Sequence, residues 1–160
     1  MDRKAPELSN AVRLALFAGL RLSSLRALRW EHVGDDALTV PLPKTGGYTI
    51  IPLSNSHIDP RLAETVQGMV RGKGPVFPVR NPAWWNTHLK LATRPLPTFG
   101  ELAGSRAGNQ WHLLRATWAV SCARRGATLW QLMSDGGWTV PQTVMRYVNL
   151  GHAAQKKTPS

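Results

Sequence analysis

The sequence contains a single cysteine, Cys122, in 160 residues. An intrachain disulfide is therefore impossible, and a cytoplasmic protein is expected. No apolar run approaches the roughly 18 residues that a membrane-crossing helix needs. The opening MDRKAPELSN lacks the apolar core of a signal peptide. Acidic side chains are also scarce, with Asp and Glu together numbering 9. Only Asp35 and Asp36 sit side by side, in what reads as a turn, and turn neighbours make a poor two-metal site. A metal-dependent nuclease is thereby disfavoured, and no metal or cofactor is expected. Internal repeats and low-complexity blocks are absent.

What remains is basic and foldable. Lys and Arg number 20, for a formal charge of +11, and 42% of residues are hydrophobic. That length and apolar content suit one compact domain. The charge predicts attraction to a polyanion, with nucleic acid the first candidate. An acidic membrane is the second, but no basic amphipathic helix or lipidation signal supports it.

The pattern predicts a mostly helical α+β domain with one small hairpin sheet. Leu8 to Ala18 reads as a helix ended by Gly19. Ser23 or Ser24 is the candidate cap of a short second helix carrying Leu25, Leu28 and Trp30, which leaves Arg21 in a tight junction. Leu38, Val40 and Leu42 alternate as in a strand with one buried face. Lys44-Thr45-Gly46-Gly47 forms the turn, and Tyr48 to Leu53 the returning strand, in which Tyr48 is expected to pack. Arg61 to Arg71 reads as helical, with Leu62, Val66, Met69 and Val70 inward. Phe77 anchors a turn-rich stretch. Further helices are expected over 83–93, near Phe99 to Ala103, over 112–125, over 129–134, and from Pro141 to about Tyr147. From Gly151 onward a polar, mobile tail is expected. Trp84, Trp85 and Trp111 are expected to pack. His32, His57, His88 and His152 have no partner at useful spacing.

Four segments stand out together. They are Gly19-Leu20-Arg21-Leu22-Ser23, Pro43-Lys44-Thr45-Gly46, His112-Leu113-Leu114-Arg115, and Gly136-Gly137-Trp138 followed by Val144-Met145-Arg146-Tyr147. No one of them is specific, but their order and spacing resembles the tyrosine recombinases of the phage-integrase family. The resemblance covers nearly the whole chain. Its last segment looks like the Cre-like version, which uses Trp rather than His before the tyrosine. The resemblance implies a catalytic domain over residues 1–150 that cuts and rejoins DNA through a 3′-phosphotyrosine. It also implies a separate N-terminal DNA-binding domain outside this chain, and a tail over 151–160. Double-stranded DNA is the implied partner, with four protomers on two duplexes and a monomer without DNA. A bacterial or phage source is implied, and no membrane is.

The residues make chemical sense without the family. Transesterification of a phosphodiester needs a nucleophile, neutralisation of the non-bridging oxygens, and an acid for the leaving oxygen. With few carboxylates to hold metals, cationic side chains must neutralise the phosphate. Arg21 and Arg115 can each offer a planar fork of donors. His112 and Arg115, three apart, share a helix face, and His112 can act as general base or as a further phosphate donor. Lys44 on the hairpin is the candidate general acid. Trp138 can donate only its indole N–H. Tyr147 is the candidate nucleophile, with Tyr48 its one rival.

Three positions depart from the family pattern. Ser24 stands where an acid is common, Leu113 where the motif often carries Asp, and Ala116 where His is common. The alternatives are a type IB topoisomerase-like enzyme and a DNA-binding relative that does not cut.

Overall fold

The computed structural model describes residues 6–94 and 110–156, with the backbone alone at 154 and 155. The architecture is α+β and mainly α. In chain order it comprises α1 (Pro6–Ala18), α2 (Leu22–Ala27), a 3-10 turn (Trp30–His32), β1 (Ala37–Leu42) and β2 (Gly47–Pro52). These are followed by α3 (Arg61–Gln67), α4 (Pro82–Thr93), α5 (Gln110–Arg124), α6 (Leu129–Gly136) and α7 (Pro141–Lys156). The strands pair antiparallel from Ala37↔Pro52 to Leu42↔Gly47. The turn between them closes as Thr45 and Gly46 N–H both donate to the Leu42 carbonyl, at 3.1 and 2.9 Å.

Two apolar clusters organise the helices. One joins α1, the inner face of the hairpin (Leu38, Val40, Ile51), α3, and the indoles of Trp85 and Trp111. The other joins Trp118, Leu132, Val144, Tyr147 and Val148. Helix α5 belongs to both. Its buried positions are Trp111, Leu114, Arg115, Trp118, Ala119, Cys122 and Ala123. That is the three-four spacing of one helical face, with a guanidinium in a row that should be apolar.

Several expectations change. Ser23 and Ser24 do not cap α2. Arg21 holds the N-cap place in an extended conformation with no side-chain cap bond, and its carbonyl accepts from Leu25 N–H at 2.9 Å. Leu28 and Trp30 lie beyond the helix end. Helix α3 stops at Gln67 because Gly68 caps it, and Val70, expected inward, is 90% exposed past that turn. Tyr48, expected to pack, is 61% exposed, because the strand's inner face belongs to Thr49 and Ile51. Helix α7 runs nine residues beyond Tyr147, to Lys156, where a mobile tail was expected from Gly151. Ala153, Ala154, Gln155 and Lys156 are good helix formers, which accounts for the extension. The helix expected near Phe99 to Ala103 lies outside the described residues. Among the described residues, no helix is long and apolar enough to cross a membrane.

Candidate active site

The junction between α1 and α2 delivers Arg21. Gly19 ends α1 with φ +69°, a left-handed value that side chains other than hydrogen tolerate poorly. A Cβ there would also lie 2.3 Å from the Trp118 ring. The chain therefore turns flat against α5 and places Arg21 beside Arg115. A narrow crevice is lined by Arg21, Ser24, Arg115, Asp135 and Gly136, with the hairpin residues Val40, Leu42, Thr49 and Ile51 closing it.

Arg115 is the best-fastened side chain of the group. Its Nη1 donates to the Gly19 carbonyl at 2.6 Å, and its Nη2 donates to the Gly136 carbonyl. Its Nε–H has no hydrogen-bond partner among the described residues. The guanidinium lies 3.8 Å from the centroid of the Trp138 ring. Trp138 in turn stacks on Trp118, with centroids 5.9 Å apart. Burial, followed by the charge of Arg21, pushes the pKa of Arg115 down to about 9, while Tyr147 acts in the opposite direction. Arg21 is likewise lowered by burial. Both remain cations at neutral pH, and an anion between them would relieve the cost of burying them.

His112 lies at the start of α5, exposed, one turn before Arg115. Its pKa is lowered, first by burial of the imidazole and then by the charges of Arg115, Arg21 and Arg146. The shift favours the neutral ring, the form that can accept a proton. Tyr147 comes from α7 and is buried, its ring 5.8 Å from that of Trp138. Helix α6 ends at Gly137, whose left-handed φ of 63° turns the chain toward Trp138. Arg21, His112, Arg115, Trp138 and Tyr147 are therefore brought together. Lys44 is not, for it stands exposed in the hairpin turn and makes no hydrogen bond or ion pair with the described residues. Trp138 was expected as a donor through its indole N–H, and in the structure its ring face also carries Arg115.

One buried polar pair escaped the sequence reading. His57 Nε2–H donates to Asp135 Oδ2 at 2.7 Å, between partners 78 positions apart in sequence. No local spacing signals such a contact. Among the described residues, no group of three or more His, Cys, Asp or Glu gathers as a metal site.

The phage integrase family model matches residues 2–153. The chain belongs to the phage integrase family. This integrase-family chain shares its fold with the catalytic domain of bacteriophage HP1 integrase. The two are 22% identical with a TM-score of 0.72, over 98% of this chain and 84% of that one. XerA recombinase matches at 17% identity and TM-score 0.58, over 100% and 66% of the two chains. The Tn1549 transposon integrase, solved with a circular-intermediate DNA, matches at 13% and 0.59, over 98% and 60%. This family member thus spans about two thirds or less of the last two. No curated protein sequence matches it.

Proposed function

We propose that this domain cuts and rejoins DNA as a site-specific tyrosine recombinase or integrase, with Tyr147 as nucleophile and no metal. The supporting observation is the stack of Arg115 on Trp138 at 3.8 Å, with the centroids of the Trp138 and Tyr147 rings 5.8 Å apart, while the same Arg115 lines a crevice with Arg21. A tyrosine near a buried guanidinium that itself feels the charge of a second is suited to a phosphodiester.

The Tyr147 hydroxyl oxygen attacks phosphorus and its proton passes to neutral His112. Arg21 and Arg115 hold the non-bridging oxygens as charge develops. Trp138 serves twice, its face supporting Arg115 and its indole N–H donating to the phosphate. The bond from phosphorus to the 5′ oxygen breaks, and Lys44 gives that oxygen a proton. The exposed hairpin turn lets Lys44 reach a duplex lying across the site. The 3′-phosphotyrosine keeps the energy of the broken linkage, so a 5′ hydroxyl from another strand can reverse the step without a nucleotide cofactor. Exchange between two duplexes then calls for four protomers, assembled on DNA from monomers.

Covalent trapping tests this reading. The chain is incubated at low salt with supercoiled plasmid or nicked oligonucleotides in EDTA, then stopped with SDS. A protein–DNA adduct that persists in Tyr48→Phe and vanishes in Tyr147→Phe is expected. An adduct surviving Tyr147→Phe, or cleavage that needs magnesium, overturns it. Strand exchange between two marked oligonucleotides then separates recombinase from topoisomerase.

A further inference from the structure

The C-terminal end of α6 is fastened at three consecutive residues, each by a different element. Thr49 of β2 donates its hydroxyl hydrogen to the Ser134 carbonyl. His57, in the loop between β2 and α3, donates to the Asp135 carboxylate. Arg115 of α5 donates to the Gly136 carbonyl. Trp138 follows two residues later and carries the Arg115 guanidinium on its ring. The placement of the Gly136 carbonyl therefore decides both where the Arg115 fork points and where its aromatic support stands.

Of the three ties, only one is a buried side-chain pair between titratable groups. His57 is 4% exposed and Asp135 8%. The nearby carboxylate of Asp59 is already engaged by Arg61 and Arg125, at 2.7 and 3.1 Å. A buried carboxylate needs a donor, and His57 supplies it at 2.7 Å. Asp135 also lines the narrow crevice with Arg21 and Arg115, so displacement of its backbone is felt at both guanidiniums.

We infer that His57 and Asp135 are positioning residues for the reaction proposed above, holding the end of α6 so that Arg115 and Trp138 meet in register. They touch neither DNA nor the reacting atoms. Without the pair, α6 keeps its apolar seat through Leu132 but loses the fixed height of its last turn. A shift of about 1 Å in a group that orients charge costs up to about a hundredfold in rate.

The experiment compares His57→Gln, His57→Leu and Asp135→Leu with the wild-type chain. Gln keeps a donor near the imidazole Nε2 position, and Leu does not. Val66→Ala, a core change in α3, serves as the control for simple destabilisation. Three quantities are read: single-turnover adduct formation, DNA affinity by anisotropy, and the indole N–H resonance of Trp138 without DNA, assigned with Trp138→Phe. The Leu variants are expected to form adduct about tenfold to a hundredfold more slowly at unchanged DNA affinity, with the Trp138 resonance shifted. His57→Gln recovers both rate and resonance, and Val66→Ala changes neither. The inference is overturned if the Leu variants keep the Trp138 resonance and rate. It is also overturned if Val66→Ala slows cleavage as much at equal melting loss. Should the wild-type chain form no adduct, the proposed chemistry fails, while the resonance still decides whether the pair positions Trp138.

Discussion

Replacing Gly136 with alanine gives a direct test of the aromatic stack. A Cβ built there meets Trp138 Cε3 at 2.3 Å and Cζ3 at 2.4 Å, with Trp118 Cζ3 at 3.3 Å behind. Carbon atoms rest at about 3.5 Å or more, so the Trp138 ring must withdraw by roughly 1 Å. It cannot retreat toward Trp118, which already stacks on it. Helix propensity alone would favour alanine by about 1 kcal/mol. Overpacking of this kind costs about 1–3 kcal/mol. The net is a loss of up to about 2 kcal/mol, read as a fall in melting temperature of several degrees. The catalytic effect is larger, because the displaced ring is the platform under Arg115, and about a hundredfold slower adduct formation is expected. The double variant Gly136→Ala/Trp138→Ala removes the clash, so its melting loss should be smaller than the sum of the two single losses. A Gly136→Ala protein that melts higher than wild type and cleaves at the wild-type rate would refute the stacked arrangement.

Other consequences follow from the same geometry. The His112 imidazole, followed by NMR, is expected to titrate below the ordinary value near ~6.5, with Arg146→Ala moving it upward. A midpoint at or above the ordinary value would contradict the cationic surroundings. Arg115→Lys leaves the Gly19 or the Gly136 carbonyl without its donor, so urea unfolding should show a loss of about 1–3 kcal/mol together with loss of adduct. Wild-type stability in that variant would show that the fork is not held as described. The Asp59 carboxyl is held down to about 2, first by its hydrogen bond from the Arg61 side chain, then by the Arg61 backbone and Arg125, against the effect of burial. Its folded pKa lies below the unfolded value near ~4, so its stabilisation is present above that value and disappears as pH falls through about 2. Urea curves for wild type and Asp59→Asn should differ at pH 7 and converge in acid, and a gap that persists in acid would count against the ion pairs.

The sequence announced the parts whose signals are local. Alternation of Leu38 and Val40 around a Lys44 turn specified the hairpin, and the three-residue spacing of His112 and Arg115 specified one helical face. Even the burial of Arg115 had a sequence sign, since it interrupts an otherwise apolar three-four stripe in α5. What could not be read was set at a distance. Alternation marks two faces of a strand without naming the buried one, so Tyr48 was assigned to the wrong side. The partner of His57 lies 78 residues away, and only the packing of α6 beside the hairpin reveals it. Trp138 was legible as a donor but not as a shelf, because the stack is assembled from two helices and a turn. The stretch from Gly151 to Lys156 is helical where polarity suggests a loose end, because helix propensity favours continuation.

Gly151 gives that extension a meaning of its own. A Cβ there would stand 2.6 Å from Ala123 Cβ and 3.1 Å from the Val120 carbonyl oxygen, so α7 touches the backbone of α5 one turn past Tyr147. The helix that bears Tyr147, the proposed nucleophile, is indexed against the helix that bears His112 and Arg115, like a bolt seated in a notch. Sliding by a single residue would move the tyrosine by about 1.5 Å along the axis. Residues remote from the Tyr147 hydroxyl thus set where that hydroxyl stands, and trimming the chain back to the proposed chemistry would discard its ruler.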